Sequence, residues 1–247
     1  MKSCLLYLTS QSWFALARGS QDAHASGALI PESAQTLAPV AQWLQSQAAG
    51  KTRVDVLISA ATAGFLTLPW LSTANTGAAI RKRVLHAWEK NGLDGTAHDI
   101  RIQWPRYGEP IVAVAYPSAW LRSVEDLLAT AGATIGTVTC SAVAIAERYA
   151  ARMPRGTSLL VIEEEDAVVG LHLQDGTLTD VEVLSPQGEG LDEVPVWLHR
   201  KQMDFPDAGQ VRWFLPSQFH RSEHATALLA LPDSPHPYGV ALLGAVA

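Results

Sequence analysis

Only two cysteines, Cys4 and Cys140, occur in 247 residues. Two thiols cannot build a disulfide framework or a four-ligand zinc site. Basic residues are also scarce: 18 Lys and Arg stand against 24 Asp and Glu, a net charge of −6. A nucleic-acid binder needs a basic face, so this balance argues against that class. Lys and Arg gather once, in IRKRVLHAWEK (80–90), which reads as the solvated side of a helix. No run of 18 apolar residues occurs, so nothing reads as a membrane-spanning helix. The opening MKSCLLYLTSQSWFALARGS has one early charge and then apolar residues. Thr9 to Ser12 break that run and no clean cleavage pattern follows, so it reads as two strands rather than a secretion signal. The chain is therefore expected in the cytoplasm.

What is present is apolar. Hydrophobic residues make up 48% and charged ones 17%, enough for a full core in one large domain or two lobes. CLLYLTSQSWFALARG (4–19) reads as a hairpin turning at Thr9 to Ser12, with SGALI (26–30) as a third strand. ESAQTLAPVAQWLQSQAAG (32–50) carries Leu37, Val40, Ala41, Leu44 and Ala48 on one face and predicts a helix. RVDVLIS (53–59), GFLTLPW (64–70), HDIRIQW (98–104) and EPIVAVAY (109–116) predict strands, and 76–92 an amphipathic helix. PSAWLRSVEDLLATAG (117–132) is a helix with Ser118 as its cap and Gly132 as its stop. A strand (133–139) and a helix (141–152) precede MPRG (153–156), the best boundary in the chain.

Beyond that boundary three strands follow at 157–163, 167–173 and 177–184, then a helix at 191–202 and a strand at 210–216. A short helix at 222–231 and an apolar end at 237–247 complete the chain. The order of 4–58, a three-strand meander followed by helix and strand, thus recurs at 157–216. Each half can form a mixed sheet flanked by helices. Two βββαβα halves are the plan of actin-like folds, in which a nucleotide lies between the lobes.

Four stretches sharpen that likeness to a family. VDVLISAATAGFLTLPW, GEPIVAVAYPSAWLRSVEDLLATAGATIGTVTCSAVAIAE, LLVIEEEDAVVGLHLQDGTL and PYGVALLGAVA resemble successive parts of the PilM-type proteins of type IV pili and the cytoplasmic domain of GspL-type proteins of type II secretion. The resemblance covers nearly the whole chain, through patterns of strand and small residue. It implies an α/β, degenerate actin-like (ASKHA) two-lobe fold. The first lobe would span 1–153, with an inserted subdomain at about 72–140, and the second 154–247. The chain ends before the transmembrane helix and periplasmic domain of the secretion protein, so it is expected to stand free of the membrane, like the pilus protein.

In nucleotide-binding members each lobe's first hairpin carries an Asp-x-Gly turn, the Gly admitting phosphate to backbone amides and the Asp positioning a metal ion. Here Tyr7 and Thr9 stand at those positions in the first hairpin, Ile162 and Glu164 in the second. A Glu in place of Gly removes the close backbone approach and brings a carboxylate to the phosphates. Two unit charges 4 Å apart repel by roughly 4 kcal/mol at an effective dielectric near 20. The acidic run Glu163 to Asp166 then reads as a solvated turn on a lobe that no longer binds nucleotide, and no cofactor is expected. The resemblance implies a non-catalytic scaffold at the inner face of the inner membrane, binding the cytoplasmic tail of a PilN-like or GspM-like partner. The assembly ATPase is a second candidate partner, and a homodimer is compatible with it. The alternative is an ATP-binding or ATP-hydrolysing actin-like enzyme with a divergent phosphate site.

In the pilus relatives the partner's tail lies in a groove between the first lobe and the inserted subdomain. The expected counterpart here is bordered by LPWL (68–71), with Trp70 and Leu71, and by the basic helix with Arg81, Arg83 and Trp88. Trp104 and Tyr107, at loop edges, complete the set, large rings with a polar tip suiting an interface. Two other motifs read as ordinary structure. HRSEH (220–224) matches the inverted zinc-protease pattern, but no suitable third ligand follows it. Cys140 begins a predicted helix in apolar surroundings with no His or Asp nearby, the setting of a buried structural thiol. Ser12, Ser59 and Ser141 lack a G-x-S-x-G context, so no catalytic residue and no metal ligand is assigned.

Overall fold

The computed structural model describes residues 2–17, 24–30, 33–47, 52–73, 76–103, 105, 107–149, 153–184, 193–205 and 211–214. The expected helix at 222–231, the apolar end at 237–247, the His220–His224 motif and Trp104 lie outside the described residues.

Strands β1 (Lys2–Leu8), β2 (Ser12–Ala17) and β3 (His24–Ala28) form the opening meander. A 3-10 turn (Ala34–Leu37) and α1 (Ala38–Gln47) lead to β4 (Thr52–Ile58). Helix α3 (Ser118–Thr130) and β8 (Ala133–Cys140) add a fifth strand, giving the order β3-β2-β1-β4-β8. β1 and β4 are parallel, as are β4 and β8. Central parallel strands are covered on both faces, which is why Cys4 to Leu8 reads as an unbroken apolar run with every side chain buried.

The second lobe repeats this order. β9 (Thr157–Glu163), β10 (Val168–Gln174) and β11 (Thr177–Leu184) form a meander, and β12 (Val211–Phe214) pairs parallel with β9. The sheet runs β11-β10-β9-β12. Alternation along β9 sends Leu159 and Val161 to one face, under α5 (Glu193–Asp204), and Leu160 and Ile162 to the other, where they join the large core of the first lobe. Trp197 of α5 lies over Gly170, its indole nitrogen donating to Glu182 Oε2 at 2.8 Å. Helix α4 (Ser141–Tyr149) links the lobes and packs against both β8 and β10.

Between β4 and α3 a small sheet of order β5-β7-β6 is inserted. It comprises β5 (Gly64–Leu68), β6 (His98–Gln103) and β7 (Ile111–Pro117), with α2 (Gly77–Lys90) on one face. The insertion therefore spans 64–117 rather than about 72–140. β5 bonds to β7 of the small sheet, whereas α3 and β8 return to the first lobe. Ser118 is not the cap of α3 either. It is already helical, Pro117 holds the cap position, and the Ser118 hydroxyl donates to Ala97 O at 3.0 Å.

Candidate functional site

Two places can carry chemistry: the contact between the hairpin turns of the lobes, and a groove beside the inserted sheet. The first hairpin turns through Thr9 to Ser12, the Thr9 amide donating to Ser12 O at 2.9 Å. The Thr9 hydroxyl accepts from the amides of Gln11 and Ser12, a local turn that Ser and Thr side chains favour. The second hairpin turns through Glu164 to Ala167 in the same way, the Glu164 amide donating to Ala167 O at 2.8 Å. Thr9 and Glu164 thus open matching turns, and Tyr7 and Ile162, two residues earlier, are both buried.

These turns meet. Thr9 Oγ1 donates to Glu165 Oε2 at 2.9 Å, and the Ser12 hydroxyl donates to the same oxygen. The Ser10 amide donates to Asp166 Oδ2 at 2.6 Å and the Ser59 hydroxyl at 2.9 Å. The Ala60 amide donates to Glu164 Oε2 at 2.8 Å. The expectation of a solvated acidic turn is corrected: Glu164 and Asp166 are each only 4% exposed. The reason is tertiary. The donors Ser10, Ser59 and Ala60 all belong to the first lobe, more than a hundred residues away in the chain, and Ser141 at the start of α4 adds a nearer one to Glu164.

The electrostatics follow from that burial. Removal from water pushes the Glu164 carboxyl up to about 8; bonds from Ser141 and the Ala60 amide hold it back, and the neighbouring Asp166 charge adds to the rise. Tyr7 is driven well above the usual phenol range by burial and then by Glu164, Asp166 and Glu165. Cys140, fully buried at the end of β8, is pushed to about 12 by burial and by Glu164, which keeps it a thiol. The four positions singled out in the sequence, Tyr7, Thr9, Ile162 and Glu164, are therefore brought to one region. Sequence reasoning missed the donors Ser10, Ser12, Ser59 and Ala60, because a serine is a phosphate or carboxylate donor only once a fold aims it.

A groove of about 570 Å3 opens where three parts meet. The polar face of β6–β7 forms one wall, β8 and α4 another, and the start of β11 the third. Period-two alternation makes the small sheet two-faced. Ile100, Ile111, Ala113 and Ala115 pack under Ile80, Val84 and Trp88 of α2, while Arg101, Gln103, Val112, Val114 and Tyr116 turn to the groove. Arg101 crosses the floor, donating to Val138 O at 2.8 Å and lying 5.2 Å from the Tyr116 ring centre. A second hollow of about 510 Å3 continues beyond it, sharing Arg101, Val138 and Thr139.

This geometry corrects the expected groove border. Trp88 is fully buried in the core of the inserted sheet and presents nothing to a partner. Arg81 is exposed and Arg83 donates to Pro69 O at 2.7 Å, both on the helix that covers the opposite face of the sheet. Trp70 and Tyr107 pack together with ring centres 5.5 Å apart and planes tilted by 60°, beside exposed Leu71, and none of them lines the groove. The sequence signal for the wall of this groove was the alternation in HDIRIQW, where Asp99, Arg101 and Gln103 share one face. Among the described residues no group of three His, Cys, Asp or Glu could hold a metal ion.

By sequence, no protein-family model and no curated protein matches the chain. Solved structures do match by shape. The PilM–PilN type IV pilus biogenesis complex superposes at a TM-score of 0.65 and 12% identity, covering 100% of this chain and 98% of that one. The cytoplasmic domain of EpsL, an inner-membrane component of the Vibrio cholerae type II secretion system, superposes at 0.57 and 16% identity, covering 100% and 93%. A Bacteroides thetaiotaomicron protein with an actin-like ATPase fold superposes at 0.53 and 9% identity, covering 90% and 84%. The chain therefore has the actin-like fold, two mixed α/β lobes of repeated strand order with a small sheet inserted in the first.

Proposed function

We propose that this chain is a non-catalytic actin-like scaffold of a type IV pilus or type II secretion-like assembly, and that its groove binds the cytoplasmic tail of an inner-membrane partner of the PilN or GspM kind. The observation that carries the reading is the groove itself. It is an open trough between β6, the edge of the inserted sheet, and β8, the edge of the first lobe's sheet, with walls of mixed apolar and polar side chains. An extended peptide meets such a place with main-chain hydrogen bonds along an edge and side chains against the walls. The shapes shared with the pilus complex and the secretion domain support the same assignment.

A catalytic role has little to work with at the cleft. Ile162 puts a buried apolar side chain where the resemblance expects a metal-positioning Asp, and first-lobe donors are engaged by the chain's own carboxylates. Trp70, Leu71 and Tyr107, with Arg81 and Arg83 nearby on α2, form an outer surface available to a second contact, for which the assembly ATPase is a candidate. Through its partner the chain would lie at the inner face of the membrane; among the described residues no helix is long and apolar enough to cross it.

The test is calorimetric titration with a synthetic peptide of the cytoplasmic tail of a PilN-like or GspM-like single-span protein from the same genome. Val143, partly exposed in the groove wall on α4, is the residue to change. Val143→Arg fills the trough and is expected to weaken the peptide at least about tenfold, the effect of losing a central anchor. Equal binding by wild type and a folded Val143→Arg would overturn the groove assignment.

A further inference from the structure

Five first-lobe donors converge on three successive carboxylates. Thr9, Ser10 and Ser12 follow β1, and Ser59 and Ala60 follow β4. These strands are adjacent and parallel, so the donors stand beyond the carboxyl ends of neighbouring strands, where open α/β sheets take their ligands. All five are neutral hydroxyls or backbone amides. No Lys or Arg among the described residues forms an ion pair with Glu164, Glu165 or Asp166.

A ring of neutral donors with no cation in it binds anionic oxygen through oriented dipoles. Carboxylate oxygens accept those bonds here, and phosphate oxygens offer the same acceptors. Burial separates the three acids. Glu165 is partly exposed, whereas Glu164 and Asp166 each keep one buried oxygen, Oε1 and Oδ1, without a hydrogen-bond partner. Shape and donors belong to the first lobe, and the second lobe supplies the occupant.

We propose that Thr9, Ser10, Ser12 and Ser59 form an oxyanion cradle on the first lobe, occupied within the molecule by the Glu165 and Asp166 carboxylates, while the Ala60 amide beside it is held by Glu164. The occupant is tethered, so a free anion competes against an intramolecular group at high effective concentration. Removing the two side chains leaves the donors and the space. The ligand class for the vacated cradle is a small tetrahedral oxyanion, bound without a metal ion. This goes beyond the scaffold reading and concerns the cleft, so its test is independent of tail binding in the groove.

The experiment uses the full chain and sodium pyrophosphate, with chelator present and sodium chloride controls of equal ionic strength. Thermal unfolding is followed as pyrophosphate rises into the millimolar range for wild type, Glu165→Ala/Asp166→Ala and Glu165→Ala alone. The double variant is expected to gain melting temperature with the logarithm of pyrophosphate concentration, as a ligand of the native state requires, while wild type follows the salt control. Glu165→Ala, which changes only the partly exposed acid, is expected to gain less, and decides the matter if the double variant does not fold. Folded variants that track the salt control, or a wild type that responds as strongly as they do, would overturn the cradle.

Discussion

Thr9 and Glu165, 156 residues apart in the chain, are joined by a 2.9 Å hydrogen bond between the first turns of the two lobes. With Ser10–Asp166 and Ala60–Glu164 it closes the cleft through the chain's own acids. The consequences can be measured.

Glu164 links stability to pH. Its carboxyl is raised from the usual 4.5 to about 8, so the folded protein holds a proton there that the unfolded chain has lost. That stability is complete below about 4.5, declines as pH rises through the window, and is gone above about 8. Glu164→Gln keeps an acceptor for the Ala60 amide and cannot ionise. The variant is therefore expected to match wild type near pH 5 and to exceed it in melting temperature at pH 8.5. A difference that does not change with pH would show that Glu164 does not titrate in this window.

Wild-type protein is expected to show no ATP affinity at millimolar nucleotide with magnesium, since Ile162 offers no metal ligand and Glu164 and Asp166 occupy the cleft. Isothermal titration decides it, and a saturable heat absent from an equally charged control anion would contradict it.

Trp88 tests the correction to the docking surface. Its ring is fully buried against Gly64, where an added Cβ would come within 2.9 Å of the indole. Trp88→Ala is expected to cost about 3–5 kcal/mol as a core truncation, and Gly64→Ala about 1–3 kcal/mol as overpacking. Denaturant melts read both. A Trp88→Ala protein of unchanged stability would return Trp88 to the surface.

The two cysteines are expected to be silent in the native state. Cys4 and Cys140 are buried, and Cys140 is pushed to about 12, so almost no thiolate exists at neutral pH. Ellman's reagent should count two thiols after denaturation and none before it. Prompt reaction of native protein would mean that the β8–α4 junction opens.

The tip formed by Trp70 and Tyr107 and the groove separate by mutation. Trp70 packs at a tilt against Tyr107, which is 86% exposed, outside the groove. Trp70→Ala is expected to change tail-peptide affinity by less than Val143→Arg does, because energy concentrates in the desolvated centre of an interface. The reverse order would place the tail at the tip.

The sequence by itself determined the repeated strand order, the hairpin turns at Thr9 and Glu164, and the amphipathic stripe of α3 that buries Val124 and Leu128. These rest on local periodicity and turn chemistry, which a single stretch carries. Only the tertiary structure decided that β5 belongs to the inserted sheet, because a strand's membership is a hydrogen-bonding partner and not a pattern. The stripe of Ile80, Val84 and Trp88 was legible, but the tertiary structure decided between core and groove border for Trp88, since a helix stripe does not say which face of a sheet it covers. That structure alone turned Glu164 and Asp166 from solvent to interior, because four successive acids look solvated until distant neutral donors surround them.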